Sequence, residues 1–182
     1  MKTSLRSAKI DDLDVLVYID LLNEGYTSNS EEVATTEEIK KDRNKIENFI
    51  VHQDKGTLIL EEIESQKCIG MIMYRINNRD KSYPWKTAFS EIDRTLFQED
   101  GRLLEIFNLW IDSDYRRQGL APYLKLKLEE EAVKHKVNLI YTHTEEHNDH
   151  VIELNKKLGY EEVRRGPIWD RIVRISLVKR LK

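Results

Sequence analysis

The sequence is poor in cysteine, proline and glycine, with one, three and seven respectively among 182 residues. A lone Cys68 can form no intrachain disulfide, so a reducing cytoplasm is the expected compartment. The glycines stand at positions 25, 56, 70, 101, 119, 159 and 166, never closer than seven residues apart. That spacing excludes a G-x-G-x-x-G dinucleotide loop, a Walker loop and a G-x-S-x-G nucleophile elbow. Any phosphate chemistry must rest on one well-placed glycine. Long apolar runs are also missing. The cleanest, Cys68 to Tyr74, falls far below the roughly 20 residues that span a bilayer. The opening stretch, MKTSLRSAKIDDLDVL, has no apolar segment or small-residue cleavage site, and no membrane partner is expected. Nor is there an excess of one charge: 33 acids against 30 bases give a net charge of -3, which leaves no bulk positive field for a nucleic acid.

What remains is a globular balance, 35% charged and 40% apolar with a mean hydropathy of -0.62. A chain of this length is expected to fold as one domain, residues 1–182, burying about 70% of the surface its extended form exposes. Thr3 to Arg6 reads as a strand, and Asp11 and Asp12 open a helix with Leu13, Leu16, Val17 and Leu21 on one face. Asn23 to Thr35 is polar and reads as a loop. Thr35 with Glu38 forms a capping box for a helix to about His52, with Ile39, Ile46, Phe49 and Ile50 inward. Gly56 to Glu62 and Lys67 to Ile76 are a hairpin pattern. Asn77 to Gly101 reads as an insertion over the sheet, with an amphipathic helix from Ala88 to Phe97.

Leu103 to Ile111 is apolar on both faces, which marks an interior strand; alternation puts Glu105, Phe107, Leu109 and Ile111 on one of them. A polar stretch then leads to Pro122 in a first helical turn and a helix to about His135. Val137 to Thr144 is a strand and Asp149 to Leu158 a helix stopped by Gly159. Tyr160 to Arg164 and Arg171 to Val178 are closing strands. The order β-α-α-β-β-insertion-β-α-β-α-β-β predicts an α/β (α+β) protein.

The stretch Arg116-Arg117-Gln118-Gly119-Leu120-Ala121 carries the chemistry. A helix start leaves about four amides unpaired and carries roughly half a positive charge, so it binds phosphate where the backbone comes close. Gly119 permits that approach, Arg116 and Arg117 add charge at the rim, and Ala121 lets the helix pack closely. The pattern [QR]-x-x-G-x-[GA] alone turns up in roughly one chain of this length in five. Its place after a two-sided apolar strand, and before Asn148 and Leu158-Gly159-Tyr160, makes it informative.

With these two motifs in order, the sequence resembles the GCN5-related N-acetyltransferases over most of its length. The resemblance implies a mixed central sheet of about six to seven strands flanked by helices, with an insertion before the central strand. It implies acetyl-CoA as cosubstrate, its pyrophosphate cradled by the amides of Arg116, Arg117, Gln118, Gly119, Leu120 and Ala121. The pantetheine would lie along main-chain groups of Leu109, Trp110 and Ile111 like an added strand, with Asn148 touching it from the other side. An N–H of that strand segment would polarise the thioester oxygen. The acceptor would be a small-molecule or protein amine, and a homodimer is compatible with the family.

An alkyl amine with a pKa of about 10.4 is unprotonated in about one molecule per thousand at pH 7, so shedding the proton costs on the order of 4 kcal/mol. Glu105, on an otherwise apolar face, is the candidate proton acceptor, matching the offset of the glutamate in the histone-acetyltransferase branch. The alternative is a structural acid paired with an arginine. The general acid is unassigned: Asn155 stands where many relatives have Tyr, which leaves Tyr141, His143, Tyr160 or water. His143, Glu145, Glu146, His147 and His150 lack the spacing of an HExxH zinc site, and a solvated helix-capping turn is expected in place of a metal. Cys68 has no identifiable base beside it, so transfer is expected by direct attack. Tyr83, Trp85 and Phe89 read as an acceptor-binding wall or as ordinary packing, and Arg164, Arg165 and Arg174 as charges around a turn at 166–170. The rival to an enzyme is a non-catalytic acyl-CoA-binding or partner-binding module on the same fold.

Overall fold

The computed structural model describes residues 2–26 and 33–182, so the middle of the expected loop from Asn23 to Thr35 lies outside the described residues. The elements are β1 (Thr3–Ser7), α1 (Leu13–Asn23), α2 (Thr36–Val51), β2 (Lys55–Glu62), β3 (Lys67–Asn78), β4 (Arg102–Ile111), α3 (Leu120–Lys134), β5 (Leu139–Glu145), α4 (Asp149–Lys157), β6 (Glu161–Gly166) and β7 (Arg174–Arg180). The seven strands form a mixed sheet in the order β1-β2-β3-β4-β5-β7-β6. The β4–β5 pair is parallel, with Leu104 opposite Ile140 and Glu105 opposite Tyr141. The pairs β1–β2, β2–β3, β5–β7 and β6–β7 are antiparallel. Among the described residues no helix is long and apolar enough to cross a membrane.

The chain divides into two compact units, residues 1–75 with 108–124, and residues 76–107 with 125–182. In the first, Leu13, Leu16, Val17 and Ile19 of α1 and Ile46 and Phe49 of α2 are buried, as are Leu58, Ile59 and Leu60 of β2. The capping box forms as expected: Glu38 N–H donates to Thr35 Oγ1 at 3.2 Å, and Thr35 N–H donates to Glu38 Oε2 at 2.7 Å. Ile39, expected inward, is instead 41% exposed. It sits in the first turn, where the helix has not yet brought its apolar stripe onto the core. The α1 start is also displaced, with a 3-10 turn at Ile10–Asp12 ahead of the helix.

In the second unit, Phe89, Ile92, Phe97, Leu103, Leu139, Tyr141 and Val178 form a buried cluster, with Tyr83, Leu96 and Val163 packed on it. The insertion therefore covers a sheet face, but it does so without the expected helix. Ala88 to Phe97 folds as two 3-10 turns, Phe89–Glu91 and Arg94–Leu96. A side chain takes over carbonyls that a helix would satisfy internally: the Arg79 guanidinium donates to Ser90 O and Ile92 O, each at 3.2 Å, while Arg94 ties down the following turn by donating to Gln98 O at 2.9 Å and Glu99 O at 2.7 Å.

Candidate active site

At the end of β4 the backbone turns sharply. Asp112 accepts from Asp114 N–H at 3.0 Å and pairs with Lys67 at 2.9 Å, which holds its carboxyl below the usual range. The Tyr115 hydroxyl donates to Glu62 at 3.2 Å. The next residues form the loop singled out by the motif. Arg117 has φ +61 and Gly119 φ +78. Left-handed residues set among ordinary ones turn successive amides toward one side, the concave arrangement that binds anions. Nothing among the described residues lies within 4 Å of where a Gly119 Cβ would stand. Tyr123 N–H donates to Gly119 O at 3.1 Å and closes the first turn of α3. The amides of Leu120 and Ala121 thus precede the helix's own hydrogen-bond ladder, and Pro122 has none to offer. A 15-residue helix adds its positive end at the same place. Left-handed backbone, an open approach at the glycine and unspent helix amides together fit a pyrophosphate.

Arg116 does more than supply charge. Its Nε donates to Ile111 O at 3.1 Å, tying the loop to the strand end and taking one main-chain acceptor of the segment expected to meet the pantetheine. Gln118 is exposed. Gly70, which no motif marked, contributes through packing: a Cβ there would lie 2.8 Å from Ile111 Cδ1 and 3.4 Å from Leu124 Cδ1. Its absence lets the end of β4 and the start of α3 settle on β3.

In the other unit, Glu105 is 6% exposed and accepts a hydrogen bond from the side-chain amide of Asn77, itself 5% exposed. Asn77 is thus one of the groups that hold this carboxylate. Tyr141, opposite Glu105 in the ladder, shares a hydrogen bond with Ser176 Oγ at 3.1 Å. Burial pushes its phenol up to about 12; the Ser176 hydrogen bond opposes this and the Glu105 charge adds to it. The phenol therefore keeps its proton at neutral pH. His143, two residues on, lies 5.9 Å from the Tyr141 ring and 5.2 Å from Trp169. Tyr160 is 2% exposed, burial raises its phenol, and its ring carries the Lys125 ammonium at 4.7 Å. Asn155 is buried, with its Nδ2 donating to Val151 O at 2.9 Å.

Asn148 directs its side-chain amide back to Thr144 Oγ1 at 3.1 Å, while its carbonyl accepts from Val151 and Ile152 N–H at the start of α4. The histidines do not converge. Among the described residues the one set of three metal-capable donors within 4.8 Å of one another is Asp20, Glu24 and Asp42, and the Lys45 ammonium sits on it at 2.6, 2.9 and 2.5 Å. Phe89 is core, edge-on to Tyr141 at 5.1 Å, whereas Trp85 stays 43% exposed and tilted against Tyr83 at 5.0 Å. Arg174, read as a charge near a turn, is buried. It grips Asp170 at 2.5 and 2.9 Å and lies 4.1 Å from the Trp169 ring centre. Arg164 pairs with Glu91 and donates to Pro167 O at 2.6 Å.

The seven-stranded mixed sheet with its flanking helices defines an α/β protein, with a loop of left-handed residues between a strand end and a helix start. The chain belongs to the acetyltransferase (GNAT) family, whose model matches residues 18–160. Among solved structures it is similar to Arabidopsis thaliana NAA60 in complex with acetyl-CoA, at 18% identity, TM-score 0.74 and 99% coverage of both chains. It is also similar to the Escherichia coli ribosomal-protein-S18-alanine N-acetyltransferase, at 16% identity and TM-score 0.66 over 100% of this chain and 95% of that one. A third is a mutant form of the Vibrio cholerae spermidine N-acetyltransferase SpeG, at 15% identity and TM-score 0.66 over 98% of this chain and 93% of that one. No curated protein sequence matches it.

Proposed function

We propose that this protein is an N-acetyltransferase that moves the acetyl group of acetyl-CoA to a primary amine by direct attack. The observation that carries the reading is the loop at Gly119, with its left-handed residues, open Cβ position and unspent helix amides. The amides of Arg117 to Ala121 take the pyrophosphate, and Leu109 to Ile111 offer main-chain groups to the pantetheine. Bound acetyl-CoA supplies an activated thioester; the protein supplies placement and a route for protons. Glu105 takes the ammonium proton, directly or through a water, which frees the lone pair. Tyr141, which keeps its proton at neutral pH, is the favoured donor to the departing sulfur. Neighbours whose names specify ribosomal-protein alanine and spermidine support an amine acceptor without selecting one. Cys68 supports direct attack, because burial pushes its thiol up to about 11 and leaves it a poor nucleophile.

Acetyl-CoA is expected to raise the melting temperature of the wild-type protein. In Gly119→Glu, a carboxylate enters the cradle at a backbone φ that disfavours any side chain, and the shift should vanish while the unliganded fold persists. An unshifted wild type, or an undiminished shift in Gly119→Glu, overturns the cofactor assignment.

A further inference from the structure

Glu105 is a carboxylate on an interior strand, and a buried carboxylate persists only where donors replace its lost water. One such donor comes from β3. Asn77 is a poor strand former, and at a buried position it carries an amide that must itself be satisfied. Its neighbours are pinned. Asn78 N–H donates to the Tyr83 hydroxyl at 2.6 Å, Asn78 Nδ2 donates to Asp100 O at 2.8 Å, and Arg79 N–H donates to Gly101 O at 2.8 Å. Gly101 has φ +73, and a Cβ there would stand 2.5 Å from Asp80 Oδ2 and 2.9 Å from Asn78 Oδ1. The end of β3 is thus locked onto the turn that feeds β4, with the Asn77 amide against the Glu105 carboxylate.

We propose that Asn77 is a positioning residue for acetyl transfer, its side-chain amide holding the Glu105 carboxylate in the orientation that accepts the amine proton. The inference rests on the reading of Glu105 as proton acceptor. In that step the ammonium N–H bond breaks and its proton passes to Glu105. The freed nitrogen pair forms the bond to the thioester carbon, the carbon–sulfur bond breaks, and its electron pair leaves on the thiolate. Tyr141 protonates the thiolate, and the second nitrogen proton, which departs as the intermediate collapses, restores the phenol. Asn77 exchanges no proton and touches no substrate; it fixes the acceptor.

A double-mutant cycle tests this. Glu105→Gln alone should lower kcat by roughly 100-fold, the scale of a general base; full activity in that variant removes the base assignment whatever Asn77 does. Asn77→Leu should lower kcat about 10-fold with little change in the KM for acetyl-CoA, and should add less than about 2-fold on top of Glu105→Gln, because residues acting as a unit are not additive. Equal losses in both backgrounds, or no loss, overturn the proposal. Asn77→Asp keeps the shape where the leucine variant fails to fold. Its introduced carboxyl donates only while protonated, so its activity relative to wild type should fall as pH rises. A ratio flat across pH would contradict the positioning role. In each variant a retained acetyl-CoA melting shift establishes that the fold is intact.

Discussion

A Cβ on Gly56 would lie 2.5 Å from the Tyr74 ring, and Tyr74 is buried, so the ring cannot swing away without disturbing its surroundings. Gly56→Ala is therefore expected to cost about 1–3 kcal/mol, the usual range for overpacking, read as a lowered denaturation midpoint. Gly119→Ala presents the opposite case: its Cβ meets open space, and only the left-handed backbone is penalised, by about 1 kcal/mol. Its larger effect should fall on acetyl-CoA affinity, so the two alanine variants separate a packing glycine from a binding one. Gly119 was legible in the sequence because a motif, a preceding strand and a following helix all pointed to it. The left-handed Arg117 was not, since nothing in an arginine announces a positive φ. The Asn77–Glu105 bond was equally hidden: it depends on the register between two strands, which alternation within either strand does not specify.

Elements with a local signal matched their expectation. The Thr35 and Glu38 box forms, and Thr35→Ala should cost about 1 kcal/mol, measurable as a shift in the urea midpoint with an unchanged slope. The interior strand, the helix after Gly119 and the helix stopped by Gly159 also lie within a few residues of their expected bounds. The insertion departs from its apolar spacing. Phe89, Ile92 and Phe97 do face the core, but Arg79, from outside the segment, satisfies the carbonyls of Ser90 and Ile92, so no helix is required. The β6–β7 connection shows the same limit: Arg174 looked like surface charge until Asp170 and Trp169 enclosed it.

For the molecule as a whole, Lys125 sets a pH dependence. It is 2% exposed, and burial first, then Lys179, lowers its ammonium to about 7. Lys179 is itself paired with Glu129 at 2.5 Å, and the ring of Tyr160 lies directly against Lys125. Between about pH 7 and the unfolded value near 10.4, the unfolded chain holds a proton that the folded chain has lost, so stability rises with pH through that window. At about 1.4 kcal/mol per unit of separation, Lys125 withholds several kcal/mol at neutral pH. Lys125→Met should melt higher at pH 7, and its advantage should shrink toward pH 10. An advantage constant with pH would show that Lys125 does not titrate in this window.

Fold and family were readable from the order of elements and two motifs, while the acceptor was not, because its recognition depends on side chains brought together by folding. Amine acetylation by acetyl-CoA is read out by thiol release from acetyl-CoA across a panel of polyamines, aminoglycosides, amino acids and peptides, with the acetylated product confirmed by mass. Amine-dependent release is expected for at least one class, strongly reduced in Glu105→Gln. Acetyl-CoA binding with no amine-dependent release across the whole panel would contradict it and leave a binding module on the same fold.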